Sequence, residues 1–120
     1  MIADLASRVK KVNVLERAKT EETFVPKSLG QVGDVTVELA VGQGELPFWH
    51  TNDEDEHVYC VQGTIHYQLK IDDKELPSVD VGAGEFFLIP AGVAHKPVCS
   101  KDNVVLIIEK VNPYTTFDED

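Results

Sequence analysis

Between residues 35 and 111 the chain changes character every few residues, and that rhythm most limits what it can fold into. Val35, Val37, Leu39 and Val41 alternate with Thr36, Glu38 and Ala40, the period of a strand with one buried face. Further apolar runs follow at 48–50, 58–62, 64–71, 86–89, 94–98 and 104–111. Turn signals separate them: Gly63, Asp72-Asp73, Gly82-Ala83-Gly84, Pro90-Ala91-Gly92 and Asp102-Asn103. No helix-length period intervenes. Many short strands parted by Gly, Pro and Asp predict an all-β antiparallel sandwich or barrel.

The flanks read differently. Ile2, Leu5, Val9 and Val12 recur at three and four residues, which predicts a short amphipathic helix over 1–11. So short a helix needs a surface to pack on, either the body or a second subunit. Residues 12–15 are expected to be extended already. The polar stretch 19–29, which holds Pro26, reads as a connection with one short edge strand. The acidic end, Phe117 to Asp120, is expected to fray. The division is therefore an N-terminal helix and arm over 1–30, a barrel over 31–112 and a tail over 113–120. At 120 residues this is a single domain.

A net charge of −10 argues against nucleic acid, whose phosphates call for clustered Lys and Arg, and against an anionic membrane surface. Two cysteines, Cys60 and Cys99, fit neither a disulfide framework nor a zinc knuckle and read as small buried hydrophobes. The start of the chain lacks the apolar core of a signal peptide, and no apolar run approaches membrane-spanning length. The expected location is cytoplasmic.

The chemistry concentrates in two segments. In PFWHTNDEDEHVYCVQG, His50 and Glu56 lie six residues apart; in GEFFLIPAGVAH, His95 follows a Pro-x-Gly turn. Two imidazoles and one carboxylate can face a divalent metal and leave positions open for other ligands. The polar run between His50 and Glu56 predicts a turn, with His50 closing one strand and Glu56 opening the next. Strand alternation then puts Val58, Cys60 and Gln62 on the face of Glu56, and His57 on the other. The acidic run 53–56 lacks calcium-loop spacing and reads as a solvated loop, of which only Glu56 is kept.

These segments resemble the two signature motifs of the cupin superfamily, small β-barrels of the jelly-roll kind. The pattern G-x5-P-x-G-x2-H is met without a gap from Gly84 to His95. The first motif, commonly H-x-H-x3–4-E-x6-G, runs here from His50 to Gly63 with Asn52 in the second histidine position. Asn52 marks either a decayed site or the H-x-N-x3-E pattern, which is similar to that of 3-hydroxyanthranilate and homogentisate dioxygenases. The second is preferred. The resemblance implies a single jelly-roll barrel with a short N-terminal helix, and His50, Glu56 and His95 as metal ligands. It also implies a divalent cofactor, Fe(II) favoured over Zn, Ni or Mn. Asn52, Cys60, Gln62, Phe87 and Glu109 are the candidate substrate-facing residues, Glu109 standing where those dioxygenases have a substrate-binding Glu. Val58, Phe87, Ile89 and Val98 are expected to supply apolar walls. The arginines with which hydroxyanthranilate enzymes hold a carboxylate have no counterpart, since Arg8 and Arg17 are the only two in the chain. The implied activity is dioxygenase-like, on a small aromatic or enolic molecule. Non-redox metal chemistry (isomerase, lyase or decarboxylase) and non-catalytic ligand binding are the alternatives. The implied assembly is a homodimer.

Overall fold

The computed structural model describes residues 2–111 together with the backbone of 115–119. Two short helices, α1 (Ile2–Ser7) and α2 (Val14–Ala18), precede nine strands: β1 (Lys27–Val32), β2 (Val35–Glu45), β3 (Phe48–Asn52), β4 (Glu56–Gln62), β5 (Thr64–Ile71), β6 (Lys74–Gly82), β7 (Phe86–Ile89), β8 (Ala94–Lys110) and β9 (Thr115–Glu119). Every ladder is antiparallel. The all-β expectation is met.

The seventeen-residue β8 organises the barrel. Its first part, Ala94 to Cys99, pairs with β5; its second, Asn103 to Lys110, pairs with β2 and β4. A strand has two edges, so four neighbours require it to change direction. It does so at Ser100–Lys101–Asp102, where the register with β2 jumps from Gly42↔Asn103 to Gly44↔Cys99. The single sheet thereby closes over one core of Ala40, Val58, Cys60, Ile65, Tyr67, Leu69, Val81, Ile89 and Val105. Burying Val58 or Ile89, each almost fully shielded, contributes about 2 kcal/mol relative to leaving it in water.

Three local readings change. Residues 14–18 form α2 rather than an extended segment, because Asn13 caps it: its Oδ1 accepts from the Glu16 backbone N–H at 3.1 Å. In β2 the predicted single buried face becomes two. Thr36, Ala40 and Gly42 are buried on one side and Leu39 is fully buried on the other. The end of the chain, expected to fray, has its backbone from 115 to 119 laid along β3, from Asn52↔Thr115 to Phe48↔Glu119. The strand β1 begins at Lys27, within the stretch assigned to the N-terminal arm, and completes the sheet beside β2.

Candidate functional site

The bend of β8 and the curl of β2 leave a cavity of about 530 Å³ inside the barrel. Strand alternation decides which residues reach it. On β8 these are His95, Pro97, Cys99, Asn103, Val105, Ile107 and Glu109. His50 and Asn52 reach it from β3 and Glu56 from the start of β4, with Ile65 and Tyr67 from β5.

His50 lies directly across the ladder from His95, with ring centroids 5.6 Å apart. Glu56 Oε2 is 3.8 Å from His95 Nε2. The His95 Nδ1 lies 3.3 Å from the Val93 carbonyl, which can only accept, so the proton is assigned to Nδ1 and Nε2 is left with its lone pair free. Burial holds both imidazoles neutral: His50 is lowered to about 4, with His95 as a second cause, and His95 is lowered as well. Neutral imidazoles are the form a metal ion needs. The turn before His95 is built as its letters demand. Val93 N–H donates to the Pro90 carbonyl across Ala91-Gly92, and Gly92 takes φ +85°. Gly92 N–H also donates to the Asn52 carbonyl at 3.0 Å, and Ala91 N–H to Asp55 Oδ1 at 2.9 Å. The two motif segments are therefore bonded to each other.

Around Glu56 the sheet gathers three carboxyl groups. Glu56 faces Glu109 across the β4–β8 ladder, and Thr36 and Glu38 of β2 flank Glu109 from the other side. Glu109 hydrogen-bonds both Glu38 and Glu56, which requires protons in the row. Burial, then the bond to Glu109, pushes Glu38 up to about 7. Glu109 is raised chiefly by burial. Glu56 is also raised by burial, opposed by the bonds it accepts from Glu109 and from Asn52 Nδ2 at 3.3 Å. Receiving two donors, Glu56 is the member best able to keep its negative charge.

Of the residues singled out from sequence, His50, Asn52, Glu56, His95 and Glu109 line the one cavity. Cys60 shares the inward face of Glu56 but is fully buried in the core, its thiol against the Gln62 and Gly63 carbonyls. Gln62 turns away to donate to the Asp102 carbonyl, because a register shift between Cys60 and Gln62 breaks the alternation. Phe87 packs on the core against Tyr67, 4.9 Å between centroids. Val58 and Ile89 likewise belong to the core, and Val98 has the opposite parity to the lining Pro97 and Cys99. His57 points outward against Phe86, and His66 pairs at the surface with Asp80. Sequence reasoning missed Phe24, whose φ of +61° is costly for an aromatic residue. Its N–H donates to Val41 and it lines the cavity, although it lies in a stretch read as mere connection. It missed Glu38 too; the small Ala40 and Gly42 of the same parity were the available signal. Among the described residues no group of three or more His, Cys, Asp or Glu is gathered as a ready metal cage. The approach of Glu56 to His95, with His50 opposite, is looser than that.

A family description, the cupin domain, matches residues 35–109. The chain belongs to the cupin domain family. The cupin is 29% identical over 86 residues to a 3-hydroxyanthranilate 3,4-dioxygenase of Scheffersomyces stipitis, covering 72% of this chain and 50% of that one. It thus spans about half the length of the relatives of that name. In structure it is similar to a hydroquinone 1,2-dioxygenase of Sphingomonas sp. TTNP3 in complex with 4-nitrophenol (TM-score 0.81, 23% identity, 88% of this chain and 34% of that one). It is also similar to the hydroquinone 1,2-dioxygenase PnpCD in complex with Cd2+ and 4-hydroxybenzonitrile (TM-score 0.74, 22% identity, 82% and 71%). At those identities the likeness is one of fold. No helix among the described residues is long and apolar enough to cross a membrane.

Proposed function

We propose that this cupin is a metal-dependent, dioxygenase-like enzyme that acts on a small aromatic or enolic molecule, with His50, Glu56 and His95 as the ligands of a divalent ion, Fe(II) foremost. The observation that carries the reading is the convergence of His50 and His95 across one ladder, with Glu56 3.8 Å from His95, inside a largely apolar cavity. The donor types fit: two neutral nitrogens and one buried carboxylate supplied with hydrogen bonds. The names of the similar proteins, dioxygenases of a hydroxyanthranilate and of hydroquinone, support the same class of chemistry.

When bound, the ion would supply a site where a chelating substrate and dioxygen can meet. The rest falls to side chains. Ile65, Pro97 and Ile107 exclude water from the ring face. Glu109, at the cavity surface, can accept a hydrogen bond from a substrate hydroxyl. Tyr67, whose phenol burial raises far above its usual range, stays protonated and donates. A homodimer in the cytoplasm is the setting we propose for it.

The test is metal content of protein purified without chelators, repeated on His50→Ala and His95→Ala. Stoichiometric iron, or tight ferrous binding on anaerobic loading, lost in both variants, supports the reading and warrants an oxygen-uptake screen. Zinc, nickel or manganese lost in the same way keeps the ligands and moves the reaction to non-redox chemistry. Binding that survives either substitution refutes the ligand assignment.

A further inference from the structure

The cavity grades from polar to apolar along its length, and the gradient bears on what it can hold. Resting on the ligand assignment just proposed, we infer that the site takes a hydroxylated aromatic head carrying an uncharged apolar side chain. The far end of the cavity is the subsite for that chain.

The strands lay out the gradient in steps. Residues two apart share a face and stand about 7 Å from each other. On the first part of β8 the cavity-lining positions run His95, Pro97, Cys99; on its second part, away from Glu56, they run Glu109, Ile107, Val105. On β3, Phe48 stands one step from His50. Glu56 approaches His95 at 3.8 Å and is bonded to Glu109, so both imidazoles and both lining carboxyl groups gather at one end. The next step is Phe48, Pro97 and Ile107, with Tyr67 across the ladder from Pro97. Beyond it two backbone bonds bring apolar side chains from outside the β8 ladders. Leu46 N–H donates to the Pro97 carbonyl at 3.2 Å, and Phe24 N–H donates to the Val41 carbonyl at 2.8 Å. Leu46 and the half-buried Phe24 thus join Val105 as the far wall. Asn103 lies at that end too, but its amide is committed to the Gln62 carbonyl at 3.0 Å. Among the described residues no Lys, Arg, Asp or Glu lines the far end.

Size points the same way. An apolar cavity of about 150 Å³ suffices for benzene, and this one measures about 530 Å³. A single hydroxylated ring held among the ligands therefore accounts for roughly a third of the volume. What extends beyond the ring meets Phe24, Leu46 and Val105. A charged group there would lose its water without gaining a partner, whereas every methylene gains by leaving water. The far end selects a chain.

The experiment compares 4-methylcatechol with 4-butylcatechol, which share the chelating head and differ by three methylenes. Anaerobic calorimetric titration at pH 7.5 is run on zinc-loaded and on metal-free full-length protein, with circular dichroism confirming that each variant is folded. Burying a methylene is worth about threefold in affinity, so the butyl compound is expected to bind at least tenfold more tightly. Leu46→Asp, which puts a carboxylate at the far end, should bring that ratio to threefold or less, chiefly by weakening the butyl compound. Phe24→Ala should lower it part of the way. General loosening of the fold would weaken both compounds together and leave the ratio alone. A ratio below threefold in wild type overturns the inference, as does failure of both compounds to bind in either form of the protein. A tenfold ratio unmoved by both substitutions overturns the assignment of the subsite to Leu46 and Phe24. The two readings fail separately. A protein that takes no ion yet shows the chain preference refutes the metal reading alone, and one that binds its ion through His50 and His95 with a flat ratio refutes this inference alone.

Discussion

Gly63 closes the first motif, and the structure says why no side chain fits there. It turns β4 into β5 at φ +75°, a region that costs an L-residue roughly 1–2 kcal/mol. A methyl added at Gly63 would also collide with Ser100 Oγ, come within 2.8 Å of Asp102 Oδ1 and within 3.0 Å of the Asn103 Cα. Those atoms cannot swing aside cheaply. Ser100 Oγ accepts from the Thr64 N–H and donates to Asp102, Gln62 donates to the Asp102 carbonyl, and Asn103 donates to the Gln62 carbonyl at 3.0 Å. Overpacking against backbone costs about 1–3 kcal/mol, so Gly63→Ala should lose roughly 3 kcal/mol in all. For a domain of this size that is about 10–15 °C in Tm. Gly92 is the control. It has φ +85° but open space around the added carbon, so Gly92→Ala should carry the conformational cost alone, about 1–2 kcal/mol. Urea unfolding of both variants separates the terms. Equal losses would falsify the steric argument and with it the claim that the β4–β5 turn is locked to the bend of β8.

The other predictions concern the site. Asn52→Ala removes the amide that donates to Glu56 and should weaken divalent metal binding by about 10–100-fold, read by competition with a chromogenic chelator; unchanged affinity would deny Asn52 any role in orienting the ligand. In chelator-treated protein, Glu38→Gln should change stability in a pH-dependent way. A carboxyl raised from 4.5 to about 7 on folding contributes stability that is fully present below pH 4.5 and is lost as pH rises through about 7. The variant should therefore gain on wild type between pH 5 and pH 8 by about 1 kcal/mol, after discounting for the solvent that screens a half-exposed pair. A Tm difference constant across that range would count against the shared-proton row. Cys60 is fully buried with a raised pKa, and Cys99 is raised to about 11 by burial, so neither should react promptly with Ellman's reagent at pH 8 until urea is added. Rapid labelling of the folded protein would show that the floor of the cavity opens.

Much of this is legible in the sequence, because strands announce themselves by period two and turns by Gly, Pro and Asp. The Pro90-Ala91-Gly92 reversal, the inward parity of Glu56, Val58 and Cys60, and the outward parity of His57 all follow from local rules. What escaped was set by tertiary contact. Gln62 left the cavity because a register shift interrupted its strand, and nothing in its neighbours' letters marks one. Phe87 and Val58 joined the core instead of the cavity wall, since apolar letters do not say which layer they fill. Glu38 looked like a solvent-facing position in an alternating strand. It is drawn inward because β2 buries both of its faces, and its partner Glu109 lies seventy-one positions later, beyond the reach of any local pattern.

Asn52 shows how a departure from a common motif can be read physically. Were it the remnant of a lost ligand, its side chain would have no reason to engage the remaining donors. Instead it is buried, its amide donates to Glu56, and its own carbonyl accepts from Gly92, two residues short of the strand that carries His95. One residue thus ties the carboxylate donor to the turn that delivers the second imidazole. A histidine there would keep the backbone bond but give up the donation to Glu56, exchanging an oriented carboxylate for a fourth donor. That trade favours a site with three protein ligands and more positions left open, which is what a substrate and a second small molecule sharing one ion would need.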